Sequence, residues 1–179
     1  MGVNLIAALW GFAEATLFFI VPDVWLSLAG RYKLRRGLIA CFYALTGALA
    51  GGVAMYLWGR HHPVAALHVV ERIPAISTDL ALGVSDALSE QGVLAMMWGP
   101  LSGTPYKLYA VQATSAGIGF GMFMLISIPA RLIRFLIVTI ISHYVVAGLS
   151  RWLPFQKRGG VLLTVWVVFY LFYFSMMPG

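Results

Sequence analysis

The chain has 179 residues, of which 61% are hydrophobic and 10% charged, and its mean hydropathy is +0.88. That composition excludes an ordinary soluble domain and predicts one integral membrane domain spanning 1–179. Lys and Arg outnumber Asp and Glu by twelve to six, but they lie in short clusters between apolar segments, a pattern of membrane topology and not of a nucleic-acid surface.

In chain order, residues 1–30 are apolar except where Glu14, Pro22 and Asp23 interrupt. No Lys or Arg precedes the apolar run, so the segment is read as part of the mature fold and not as a cleaved signal peptide. Pro22 and Asp23 are read as a tip, with residues 10–21 descending and 24–30 returning as hairpin 1. After the basic turn "RYKLRR", residues 37–58 are long enough to span about 30 Å of hydrocarbon. Ala40, Ala44, Gly47, Ala48, Gly51 and Gly52 give this span a small-residue face on which another backbone can approach closely. Cys41 within it has no partner cysteine, so no disulfide or thiolate metal site can form; neither a metal nor a cofactor is expected.

Residues 60–91 hold four of the six acids, with Pro63 and Pro74. They are expected outside the hydrocarbon as a polar linker whose helix, capped by Thr78 and carrying Leu80, Val84 and Leu88, lies on the membrane surface. His61, His62 and His68 lack acidic or cysteine partners at ligand spacing and are read as solvated. Residues 92–117 are apolar at both ends but broken by Pro100, Gly103 and Pro105, with Lys107 just beyond. Arms of about a dozen residues reach the middle of a bilayer and no further, which predicts a second re-entrant hairpin with a cavity at its tip. "GIGFG" follows no strand and is no dinucleotide loop. Apolar spans then cover 118–148 and 161–178, separated by "RWLPFQKRGG". Tyr and Trp near span ends read as an aromatic belt.

Hairpin-plus-span thus occurs twice, and both hairpins end in Ala-Gly, at 29–30 and 116–117. The expected fold is all-α and polytopic: two opposed re-entrant helical hairpins with about three full transmembrane helices, arranged like an inverted repeat. Loop charges agree for hairpin 2, since re-entrance puts both basic clusters on the inner side. The uncharged N-terminal residues test hairpin 1 neither way.

Six ionisable residues fall at expected hydrocarbon depth: Glu14, Asp23, Lys107, Arg131, Arg134 and His143. Each ionised Asp, Lys or Arg costs about 2.5–3.5 kcal/mol at a helix centre, so pairing, water or a ligand must offset it. Arg131 and Arg134 share a helix face, and with Lys107 they outnumber Glu14 and Asp23 by one, which suits an anionic guest such as a phosphate. Lys107, Arg131 and Arg134 are the candidate substrate-binding residues. Glu14 and Asp23 are candidates for proton or cation coupling, against plainer readings of Glu14 as internal glue, Asp23 as a helix cap and Lys107 as a snorkelling residue. His143 is read as interfacial.

The succession "WGFAEATLFFIVPD", "LSLAG", a basic turn, "YLWGR", "GPLSGTPYKLYAVQATSAG" and "PARLIRF" resembles the DedA (SNARE-associated, VTT-domain) membrane proteins, in particular their YqaA-like branch, over most of residues 8–150. The resemblance implies a lipid translocase that moves undecaprenyl phosphate or a phospholipid across a bacterial or archaeal cytoplasmic membrane, driven by an ion gradient. By position, Glu14 matches the family's hairpin-1 glutamate, Asp23 the acid after the tip proline, Lys107 an arginine after the hairpin-2 proline, and Arg131 and Arg134 a basic pair in the following helix. Where the family has a second arginine upstream of that proline, this chain is apolar.

The resulting expectation is a carrier of phosphate-bearing lipid and not an enzyme, with membrane lipids and protons or monovalent cations as partners, no nucleic acid, and self-association left open. An ion or small-solute carrier and a membrane enzyme acting on lipid phosphates are the alternatives. Ser102, Thr104 and His143 are too scattered for the latter.

Overall fold

The small residues of the second apolar stretch set the packing. The structure, a computed structural model, describes residues 2–149 and 158–176, and among these all regular structure is α-helical. The helices are α1 (Gly2–Ala15), α2 (Asp23–Gly30), α3 (Leu34–His61), α4 (Pro63–Val70), α5 (Thr78–Gln91), α6 (Val93–Ser102), α7 (Tyr106–Gln112), α8 (Phe120–Leu149) and α9 (Arg158–Met176). Among the described residues, α3 and α8 are long and apolar enough to cross a membrane. The basic stretch at 151–157 lies outside the described residues.

α3 and α8 run antiparallel. At one end the Tyr56 hydroxyl donates to the Ile118 carbonyl at 2.9 Å. Toward the other, the Cys41 thiol lies 3.1 Å from the Thr139 hydroxyl, and Gly30 and Gly37 pack against Thr139. The small-residue face of α3 receives α1 in parallel, with Gly11 against Ala44 and Ala48, Gly47 against Ala8 and Phe12, and Gly51 against Ala15 and Thr16. A Cβ at Gly47 would collide with the Ala8 carbonyl, and backbone atoms cannot swing aside as a side chain can. Gly47→Leu is therefore expected to undock α1. Overpacking costs about 1–3 kcal/mol where side chains can yield, so thermal melting should show at least that loss, while Gly83→Leu on α5, where a Cβ meets open space, should leave melting unchanged.

α2 doubles back along α1. The Trp25 indole donates to the Val3 carbonyl at 3.0 Å and the Trp10 indole to the Ile20 carbonyl at 2.9 Å. The first arm is shorter than the sequence suggests, because α1 stops at Ala15. The Thr16 hydroxyl donates back to the Phe12 and Ala13 carbonyls, and Pro22 biases Val21 away from helical backbone, so residues 16–22 cross the tip in open chain.

A second doubled-back pair enters from the opposite end. α7 runs parallel to α3, with Tyr106 on Gly52 and Val111 on Gly59, while α6 lies on α8, where the Arg134 guanidinium donates to the Pro100 carbonyl at 2.6 Å. Both tips therefore stop at the level of Gly51 and Gly52. Pro100 is not a tip residue; it sits inside α6, which continues to Ser102 and ends at Gly103, whose φ of +99° only glycine adopts freely. Pro105 precedes the first residue of α7, and Pro22 that of α2, where a missing N–H costs nothing. The two Ala-Gly pairs are not equivalent: Gly30 is buried in α2, whereas Gly117 is an exposed left-handed turn residue at φ +76°.

The polar linker does more than connect. Ser77, not Thr78, caps α5, because Ser77 keeps extended backbone and its hydroxyl accepts from the Leu80 N–H at 3.2 Å, while Thr78 is already helical. α5 buries Ala81, Val84 and Leu88, and its Ala81 carbonyl accepts from the Gln112 amide at 3.1 Å. Before it, Ile73 and Ile76 are buried, and Ala75 holds φ at +69°, a left-handed conformation uncommon for a residue with a Cβ.

Candidate functional site

Where the two tips meet, the charges that an apolar chain must offset come together. Glu14, on the last turn of α1, is paired with Arg131 of α8 through both terminal guanidinium nitrogens, Nη1 and Nη2, and the side chains are 5% and 1% exposed. The Arg131 guanidinium also lies 4.9 Å from the centre of the Tyr106 ring and 5.0 Å from that of Phe135, so aromatic faces share its charge. Tyr106 is held in turn by its hydroxyl, which donates to the Ser127 hydroxyl at 2.8 Å.

One turn along α8, Arg134 Nε contacts Asp23 Oδ2 at 2.9 Å. Asp23 opens α2, where the helix N-terminus favours a carboxylate, but no side-chain capping bond forms there; the carboxylate serves Arg134 instead. Its second oxygen, Oδ1, and Arg131 Nε are buried without a hydrogen-bond partner among the described residues. Such orphans are uncommon in a protein core.

Lys107 is different. It is 2% exposed, and its ammonium donates at 2.5 Å to the Phe18 carbonyl of the opposite tip. Among the described residues no carboxylate pairs with it. Two of the three cations therefore have acids, and the third is satisfied by open tip backbone.

Beside these groups lies a cavity of about 520 Å³ whose charged lining residues are Glu14, Asp23, Lys107 and Arg134, within the size range of small-ligand sites. Arg131 is absent from its wall: the reading that placed Arg131 with Lys107 and Arg134 around a ligand is corrected, because its guanidinium is taken up by Glu14 and two rings. His143 stands apart, its Nδ1 2.8 Å from the Gly30 carbonyl. His61, His62 and His68 are exposed, and among the described residues no three His, Cys, Asp or Glu side chains gather as metal ligands would.

Other parts of the wall were not evident in the sequence. Residues 73–76 of the linker close one side. α9 closes another with Trp166 and Tyr170: the Trp166 indole donates to the Ser27 hydroxyl at 3.1 Å, and the Tyr170 hydroxyl accepts from the Val21 N–H at 2.9 Å. These aromatics are more than a belt. The Pro22-Asp23 break, which leaves Val21 without a helical partner, is the one signal in the sequence that a donor there needs an acceptor from elsewhere.

A Haemophilus influenzae protein described as uncharacterized is 28% identical to this chain over 127 residues, 71% of this chain and 65% of that protein. The match thus takes in less than two thirds of the relative's own length. No family model and no solved structure matches the chain.

Proposed function

We propose that this chain is a multi-pass membrane carrier that moves a phosphate-bearing lipid between leaflets of a cytoplasmic membrane, as the resemblance to the DedA proteins implies. The observation that carries the reading is Lys107: a buried ammonium with no ion-pair partner among the described residues, at the junction of two helical hairpins and on the wall of a cavity. A phosphate supplies the negative charge the site lacks, since Lys107, Arg131 and Arg134 exceed Glu14 and Asp23 by one.

In this reading α3 and α8 span the bilayer, α9 spans it with about 19 residues' length, roughly 28 Å, and α1–α2 and α6–α7 are re-entrant hairpins entering from opposite sides. Large apolar side chains left exposed on α1, α8 and α9, among them Leu9, Leu125, Ile141, Val165 and Phe172, face lipid tails. The phosphate binds Lys107 and competes with Asp23 for Arg134. Taking up a proton or cation at Asp23 leaves Arg134 free for the anion, and doing so at Glu14 loosens the Arg131 pair that holds α1 to α8; losing it restores the internal pairs and expels the guest, which couples lipid movement to an ion gradient. Rocking of one hairpin-plus-span unit past the other opens the site to alternate sides. The spacing of the hydroxyls and the imidazole supports a carrier over a phosphatase: Ser102 and Thr104 lie at one tip, while His143 is nine residues beyond Arg134 on α8, about 13 Å away.

The test is reconstitution into vesicles with a fluorescent polyprenyl or acyl phosphate and its dephosphorylated counterpart. The phosphate form should cross faster than in empty vesicles, with accompanying proton or cation flux and no inorganic phosphate released. Equal rates for the two lipids would refute the anion site; released phosphate would make the protein an enzyme; ion flux without lipid movement would make it a small-solute carrier.

A further inference from the structure

Resting on that reading, we infer that a hydrocarbon chain of the same lipid lies in the cleft between α8 and α9 while its phosphate occupies the charged cavity. The two spaces adjoin: a second cavity of about 230 Å³ between these helices shares the wall residues Val165 and Trp166 with the first. Its wall is Ile141, Val145 and Leu149 from α8 and Val161 and Leu162 from α9, with Ser142 the one small polar residue.

The register on α8 makes this a track leading away from the cation. Arg134, Val138, Ile141, Val145 and Leu149 recur every three or four residues, so they form one stripe down one helix face. From Arg134 to Leu149 the helix rises about 22 Å, the scale of an extended lipid chain and far more than a phosphate alone needs. α9 is fastened to the first hairpin by Trp166 on Ser27 and Tyr170 on Val21, but below those bonds no described residue fills the seam. Ile141, Val145 and Val165 remain 57%, 49% and 59% exposed, although two apolar helices that packed ridge into groove would bury such residues. A chain seated there fills the gap between the two helices with dispersion contacts and fixes the lipid's orientation, head at the tips and tail along α8. The track offers no charged side chain, and its hydrogen-bonding side chains are Ser142 and Trp166, whose indole is already given to Ser27, so it suits hydrocarbon and not a second head group.

The experiment uses photoreactive residues introduced in place of Ser142, in the cleft, or Ile133, on an exposed part of α8 that lines neither cavity, in protein reconstituted into phosphatidylcholine vesicles. The probes are radiolabelled hexadecyl phosphate and hexadecanol, which differ only in the head. Capture of hexadecyl phosphate should be several-fold higher at position 142 than at 133, and Lys107→Gln should erase the excess; hexadecanol should be captured equally at both. Equal capture of hexadecyl phosphate at 142 and 133, with its retention by the protein still reduced by Lys107→Gln, overturns the cleft and leaves the anion site standing. An excess at 142 that hexadecanol shares, or that Lys107→Gln does not affect, also overturns it, since the cleft would then hold bulk lipid. Retention unaffected by Lys107→Gln overturns the anion site and this inference with it. A photoreactive residue in place of Val161 repeats the measurement from α9, in case the position 142 variant fails to fold.

Discussion

Lys107→Gln should reduce lipid-phosphate transport in vesicles by about tenfold to a hundredfold while leaving thermal stability unchanged or slightly improved. The two halves of this result have separate causes. A hydrogen bond to a charged group is worth about 1.5–3 kcal/mol, and each 1.4 kcal/mol is about a factor of ten, so losing the ammonium from the phosphate site has a large effect on handling the anion. Stability responds in the other direction. The ammonium is buried with no ion-pair partner among the described residues, donating to the Phe18 carbonyl, and a buried charge that no carboxylate pairs is a burden on the folded state. Glutamine is shorter, but its amide keeps a donor directed at the same tip. Lys107→Arg, which restores the charge in the form the DedA resemblance leads one to expect there, should recover a substantial part of the transport. If Lys107→Gln instead lowers the melting temperature and transport in proportion, Lys107 is a strut between the tips and not a ligand for phosphate.

How far the sequence discloses this arrangement depends on whether the physical signal is local. Glu14, Asp23, Lys107, Arg131 and Arg134 stand out because each is costly in an apolar chain, and the proline and glycine breaks at 22, 103 and 105 mark backbone that cannot continue as helix. The small-residue face of α3 is legible for the same reason, since side-chain size is written at each position. Partnership is not. Glu14 meets Arg131 across 117 residues and Asp23 meets Arg134 across 111, and one face of α8 presents both arginines, so only the packed fold decides which acid takes which cation. Nor does a pattern reveal that Lys107 reaches a main-chain carbonyl, since every residue except its own neighbours offers one. The linker misleads because its polarity is real, and the buried Ile73 and Ile76 are a minority in it. Pro100 misleads because proline signals a break more strongly than it imposes one: α6 carries it within its last turn.

Glu14 and Arg131 are the pair in which structural and functional roles can be separated by measurement. Glu14→Gln should destabilise the protein by about 3–5 kcal/mol, because removing one partner of a buried ion pair leaves the other charge without compensation; melting or denaturant unfolding in detergent reads it. Arg131→Met should do the same from the other side, leaving a carboxylate facing Tyr106 and Phe135. Replacing both, as Glu14→Leu with Arg131→Met, removes two desolvated charges at once and fills their space with apolar atoms, so stability should return to within about 1–2 kcal/mol of the parent chain. Transport should not return with it. In the proposed cycle the pair must open and close as Glu14 gains and loses its proton or cation, and a hydrocarbon contact cannot be switched by an ion. A double variant that is stable yet inactive assigns the pair to coupling. One that is stable and fully active makes it glue between α1 and α8, and leaves Asp23, whose Oδ1 has no hydrogen-bond partner among the described residues, as the acid through which an ion gradient acts.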